Sequence, residues 1–173
     1  KACLLLIYNK EKIDLIHFMP IFQHLKLHIF DEITTRVFEF DKYYVSTKID
    51  GHLCFIYKKN KEVYLYNFNG KSFNRKELIS EALKKIPVSS ALFVGEIYHY
   101  NQGKRTRSFD LTKAISEPNE VIKIGIFDLI SYDDKNFEAN NWLEKKKIIN
   151  SIFSQGNIIH PVEETELTSR KEV

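Results

Sequence analysis

Glycine and proline are scarce in this chain of 173 residues, 6 and 4 respectively, and no segment is repeated or low in complexity. Repeat arrays and flexible linkers are thereby excluded, and one compact unit is expected. Cysteine is scarcer still, with Cys3 and Cys54 the only two. Two thiols cannot build a disulfide scaffold or a cysteine-only zinc site, so both read as core thiols in a reduced, cytoplasmic setting. The single methionine is Met19, so the sequence is expected to begin inside a longer protein or to lack its initiator. Long apolar runs are missing too: Ala2 to Tyr8, the longest, falls far short of the roughly 20 residues that span a bilayer. Lys10, Glu11 and Lys12 follow it at once, with no small-residue cleavage site. The expectation is a soluble intracellular protein with neither a membrane span nor a secretory leader. An excess of one charge is also lacking. The 26 Lys and Arg against 23 Asp and Glu leave a net +3, which permits a polyanionic partner without requiring one.

Aromatic residues, by contrast, are plentiful, with 13 Phe and 9 Tyr. They fall with β-branched residues in runs that read as strands: Leu4 to Tyr8, Leu25 to Phe30, Val37 to Phe40, Tyr43 to Lys48, Leu53 to Tyr57, Val63 to Phe68, Ala91 to Tyr98 and Ile122 to Ile130. The charged stretch Lys58 to Glu62 and the pair Asn69-Gly70 separate neighbouring runs closely enough for antiparallel hairpins. Two helices are expected. In one, Leu78, Ile79, Ala82, Leu83 and Ile86 recur at helical spacing, with Asn74 and Glu77 as a capping pair and Pro87 beyond the end. In the other, Asn141 and Glu144 cap a stripe of Trp142, Ile148, Ile149, Ile152 and Phe153. Lys12 to His24 stays open, because Pro20 interrupts its helix-like pattern. The fold class is α+β, with mainly antiparallel sheets and flanking helices, in a single domain over residues 1–173.

Three segments carry chemistry. Tyr44 to Lys48 is an apolar strand ending in a lysine, followed by the sharp turn Ile49-Asp50-Gly51. Apolar neighbours can desolvate the Lys48 amine, and only a neutral amine is a nucleophile. Ala91 to Tyr98 is an apolar run interrupted by Gly95-Glu96, and a carboxylate in such a run must find a cation, a donor or solvent. Lys123 to Ile130 is a third buried-type strand, with the pair Phe127-Asp128 inside it. Taken singly, each also reads as ordinary structure: a hairpin turn, an outward-pointing glutamate, a core strand.

Together and in this order, they resemble the nucleotidyltransferase domain of the covalent nucleotidyltransferase superfamily, which comprises ATP-dependent DNA ligases, RNA ligases and mRNA capping enzymes. Lys48-Ile49-Asp50-Gly51 resembles its motif I, Val94-Gly95-Glu96-Ile97 its motif III and Ile126-Phe127-Asp128-Leu129 its motif IIIa. The resemblance covers Tyr43 to Ile130, with Tyr64 to Ser72 similar to the segment between the first two motifs. It implies an ATP-grasp-like domain in which Lys48 attacks the α-phosphate of ATP, expels pyrophosphate and holds AMP as a phosphoramidate. By the same resemblance, Glu96 contacts ribose or helps to place Mg2+, and Phe127 stacks on the base. Ser46, Thr47, Ile49, Asp50 and Gly51 would complete the nucleotide site, with Asp50 and Gly51 shaping the turn that presents the lysine. The implied partner is nucleic acid with a nick or 5′-phosphate end, DNA before RNA, handled by a monomer with a further C-terminal domain and no membrane association. DNA repair is the implied setting.

The chain departs from the family pattern at four places. Ser46 stands where ligases carry an acidic residue that reads the adenine amino group, which keeps a capping-type guanylyltransferase as an alternative. Leu53 and Phe68 occupy positions where the family often has arginine. Motifs IV and V are expected beyond Val173, so the domain is read as incomplete at its C-terminus. A ligase-derived binding module without catalysis is the other alternative. His24 and His28 have metal-ligand spacing but no third ligand, and Lys104, Arg105 and Arg107 form a basic cluster that reads as a solvated loop.

Overall fold

The structure is a computed structural model that describes residues 44–46, 49–101, 103–105 and 108–166. The expected strands at Leu4 to Tyr8, Leu25 to Phe30 and Val37 to Phe40, the open segment Lys12 to His24, and Cys3, His24 and His28 lie outside the described residues. What is described belongs to one compact unit, Phe40–Val173. Its elements are the strands β1 (Tyr44–Ser46), β2 (His52–Lys59), β3 (Glu62–Asn67) and β4 (Ser72–Phe73), the helix α1 (Lys76–Lys85), strands β5 (Ser90–Asn101) and β6 (Lys104–Arg105), and the helix α2 (Ser108–Ala114). Strands β7 (Ile122–Tyr132) and β8 (Lys135–Asn136), the helix α3 (Trp142–Phe153), and strands β9 (Ile159–Pro161) and β10 (Glu164–Glu166) follow.

The main sheet has the order β4-β3-β2-β5-β7-β8, with β6 paired to β5 and β9 to β7, while β1 and β10 form a second, two-stranded sheet. All pairs are antiparallel except β7 with β9, which is parallel. The expected α+β class with mainly antiparallel sheets is therefore the observed one. Hairpins form where turn chemistry allows. Asn60 takes a φ of 56° between β2 and β3, and Asp133 and Asp134 take 52° and 59° between β7 and β8, which suits the twist of a tight hairpin.

One face of the main sheet carries Cys54, Ile56, Leu65, Phe93, Ile97, Ile124, Ile126 and Leu129, and packs with Leu78, Ile149 and Phe153 from the helices into a single core. Helix α1 lies on β3, α2 on β5, and α3 on β7 and β9. Phe93 meets Phe153 edge to face at 5.1 Å between centroids, and each buried ring contributes about 1.5–3 kcal/mol.

Of the expected α3 capping pair, Asn141 is in place, its Oδ1 accepting from Leu143 N–H at 2.9 Å, while the Glu144 carboxylate accepts from Asn140 Nδ2 at 2.7 Å instead. The cap expected on α1 does not form. Arg75, not Asn74, occupies the N-cap, with no side-chain cap bond. The reason is Arg75 itself: buried, it reaches across to donate to the Glu117 and Glu120 carbonyls at 2.8 and 2.7 Å and pairs with Glu77, which removes Glu77 from capping. At the other end of α1, buried Lys58 donates to the Ile86 carbonyl at 2.5 Å.

Candidate nucleotide site

The turn after β1 docks on the face of the main sheet opposite the described helices, and two glycines let it do so. A Cβ on Gly51 would run into the Ile97 carbonyl oxygen, and a Cβ on Gly125 would collide with the Ile49 side chain. Without those side chains, Ile49 is buried over Gly125, and Gly51 N–H donates to Glu96 Oε1 at 3.1 Å. The turn that follows the candidate lysine is thus fastened to the strand bearing the candidate carboxylate. Lys48 and Thr47 themselves lie outside the described residues. Ser46 is exposed and pairs with Glu164 of β10, and Asp50 is exposed.

Glu96 is half-buried in the middle of β5, opposite Leu53 on β2 and Gly125 on β7. Its charge is felt behind the sheet. Burial pushes the Cys54 thiol far above its ordinary range, and the Glu96 carboxylate adds to the rise. Phe127 is also half-buried. Ile122, Ile124 and Ile126 enter the core, so strand alternation puts Lys123 and Gly125 on the opposite face, together with Glu96, and Phe127, where the alternation breaks, is not among the partly buried rings packed on the core. Ile49, Gly51, Glu96 and Phe127 therefore gather away from the core face.

Beside Ile49 lies a cavity of about 310 Å³ that sequence reasoning missed. Tyr98 and His160 meet there at 2.7 Å between the phenol oxygen and Nε2, and Lys123 Nζ sits 4.2 Å above the Tyr100 ring. Tyr98 and Tyr100 alternate with Glu96 along β5, which is a legible signal for a shared face. His160 had none, since it is placed only by the parallel pairing of β9 with β7. Glu164 was equally silent, yet it anchors β10 by pairing with Lys146 at 2.8 Å and accepting from Trp142 Nε1 at 3.2 Å.

For a divalent cation, the described residues hold no group of three or more His, Cys, Asp or Glu side chains. The donor set still suits magnesium bound in the usual manner of nucleotide enzymes, by one or two carboxylates together with substrate phosphates. Glu96 is the carboxylate in place. No helix among the described residues is long and apolar enough to cross a membrane.

Among solved structures, the chain is similar to a mycobacterial DNA ligase D complexed with ATP and MES, at 14% identity and a TM-score of 0.56 over 70% of this chain. It is similar to the ligase domain of LigD from M. tuberculosis at 10% identity and a TM-score of 0.54, again over 70% of this chain. It also matches Pmar-Lig_PreS3 at 16% identity and a TM-score of 0.56, over 74% of this chain and 32% of that one. Identities this low show a shared fold. The chain spans 39% and 40% of the length of the two mycobacterial structures. No curated protein matches it. The sequence model of the ATP dependent DNA ligase domain matches residues 26–173, nearly the whole chain and all three motifs, and the chain belongs to that family.

Proposed function

We propose that residues 1–173 are one nucleotidyltransferase domain, the adenylation part of an ATP-dependent DNA ligase, and that Lys48 is its nucleophile. The observation that carries this is the Gly51 to Glu96 hydrogen bond, with Ile49 seated on Gly125. Those contacts fasten the lysine-bearing turn to the two strands that carry the carboxylate and the aromatic ring. In the reaction, the neutral Lys48 amine attacks the α-phosphorus of ATP. A P–N bond forms, the P–O bond to pyrophosphate breaks, and the amine proton is lost to solvent. The AMP then passes to a 5′-phosphate of nicked nucleic acid, and a 3′-hydroxyl displaces it. Phe127 offers a half-exposed ring for stacking on the base. Glu96 offers its carboxylate to the ribose or to Mg2+, which when bound neutralises charge on the phosphates. Ser46, Thr47, Ile49, Asp50 and Gly51 line or shape the site.

The match to a DNA ligase family supports DNA over RNA and ATP over GTP. A role in DNA repair is part of the same ligase reading, and a reduced, cytoplasmic setting accords with Cys54, the described thiol, being buried and free of any disulfide. A further C-terminal domain, supported by the greater length of the similar ligases, and action as a monomer belong to that reading. The test is incubation with α-labelled ATP or GTP, with and without magnesium. Label that survives denaturation is expected with ATP and magnesium; its absence under all conditions would favour a non-catalytic module, and a preference for GTP the capping-type alternative.

A further inference from the structure

Strand β7 is irregular where it passes Phe127. Its register with β5 runs Glu96 to Gly125, Gly95 to Ile126, then Val94 to Asp128, so Phe127 is an extra residue with no partner across the ladder. A second shift follows, with Phe93 opposite Leu129 and Leu92 opposite Ser131. Bulges twist a strand and redirect the side chain they carry, and the ladder bonds they forfeit must be replaced. Here the Asp128 carboxylate, held in a buried ion pair, supplies an acceptor for a backbone N–H of the irregular stretch. Asp128 Oδ1 accepts from Leu129 N–H at 2.8 Å and from Lys145 Nζ at 2.9 Å. Lys145, on α3, also donates to the Glu138 carbonyl at 3.4 Å. The two side chains are only 9% and 10% exposed.

Helix α3 covers the core face of the sheet, whereas Phe127 looks to the opposite face. The pair therefore grips β7 from behind, at the residue next to the ring. Apolar residues of similar volume would hold α3 to the sheet as well as an ion pair or better, because burying two charges is costly. What the charged pair adds is direction: a fixed donor holding one carboxylate oxygen in the bulge. We infer that Lys145, acting through Asp128, is a positioning residue that sets the Phe127 ring for stacking on the purine. This rests on the reading of Phe127 as the stacking residue.

The test measures covalent labelling by ATP and by GTP across nucleotide concentration. Lys145→Met is expected to raise the ATP concentration for half-maximal labelling by about tenfold, the scale of a weakened base stack. The saturating rate should stay within about twofold, the ATP-over-GTP preference should narrow, and Lys145→Arg should restore both. Breaking a buried pair also destabilises the fold, so the variant Lys145→Met with Asp128→Leu separates the two effects. It is expected to unfold in urea like the wild type yet keep the raised half-saturation. In a Phe127→Ala background, Lys145→Met should add nothing, since the two residues act as one unit. Wild-type half-saturation and purine preference in Lys145→Met, or an equal effect in the Phe127→Ala background, would overturn the inference. A wild-type protein that takes no label at all would instead overturn the nucleotidyltransferase reading, and the inference with it.

Discussion

Gly51 has no room for a methyl group, because the Ile97 carbonyl occupies the place a Cβ would take. Gly51→Ala must displace either the turn or β5, so it is expected to cost about 1–3 kcal/mol in urea unfolding. Covalent labelling should fall by far more than that loss of stability explains, because the Gly51 to Glu96 bond goes with it. A Gly51→Ala protein labelling at the wild-type rate would show that the turn is not part of the site. The glycine in Lys48-Ile49-Asp50-Gly51 was legible from its motif, but its reason was not: the obstruction is a backbone atom 46 residues away in sequence, about which a local pattern is mute. Cys54 adds a pH dependence. Its folded pKa lies above the ordinary value of 9.0 through burial first and Glu96 second, and Tyr57, Tyr66 and Tyr132 are raised above 10.0, each chiefly by burial. Raised acids stay protonated in the folded chain while the unfolded chain ionises. Their contribution to stability is whole below pH 9.0 and is lost as pH rises through the folded values. Urea midpoints should therefore hold from pH 7 to 8.5 and fall above pH 9; a midpoint that rises there would contradict the burial of these groups.

Helix ends show how far local signals reach. Asn141 was legible as a cap because nothing tertiary competes for it, whereas the Asn74 and Glu77 pair lost to Arg75, whose guanidinium bridges to the loop between α2 and β7. Arg75→Ala is expected to cost about 1.5–3 kcal/mol, since part-buried carbonyls lose a charged donor, and to lower the urea midpoint with the slope unchanged. A change under about 0.5 kcal/mol, the usual size for a surface site, would mean that the bridge is not formed in solution. The long strands were legible from their aromatic and β-branched runs. Helix α2 and strands β8, β9 and β10 were not, being 7, 2, 3 and 3 residues long. Segments this short have no period to read, and their conformation comes from the sheet they join. For β9 the join includes α1: Glu81 accepts the Asn157 and Ile159 N–H groups, each at 2.9 Å, just where that strand begins.

At the scale of the whole molecule, motif order in the sequence becomes adjacency in space, because β5 lies between β2 and β7 in the sheet. The adjacency of Glu96 and Gly125 was foreseeable once the strands of motifs III and IIIa were assigned to one sheet; the docking of motif I was not, because its strand β1 pairs with β10 in a second sheet, nor was the cavity beside Ile49, which depends on β9. A net charge of +3 gives weak and salt-sensitive hold on a duplex. This chain is therefore expected to self-label but to seal pre-adenylated nicks more slowly than a longer protein carrying the proposed C-terminal domain, and equal rates would contradict the need for one. The most direct measurement concerns the nucleophile. Wild-type protein and Lys48→Ala are incubated with α-labelled ATP and magnesium, denatured, and digested, and the label is located by mass spectrometry. The expected result is AMP on the peptide containing Lys48 in the wild type and none in the variant; label elsewhere in the chain, or undiminished label in Lys48→Ala, would contradict the assignment of Lys48 as the adenylated residue.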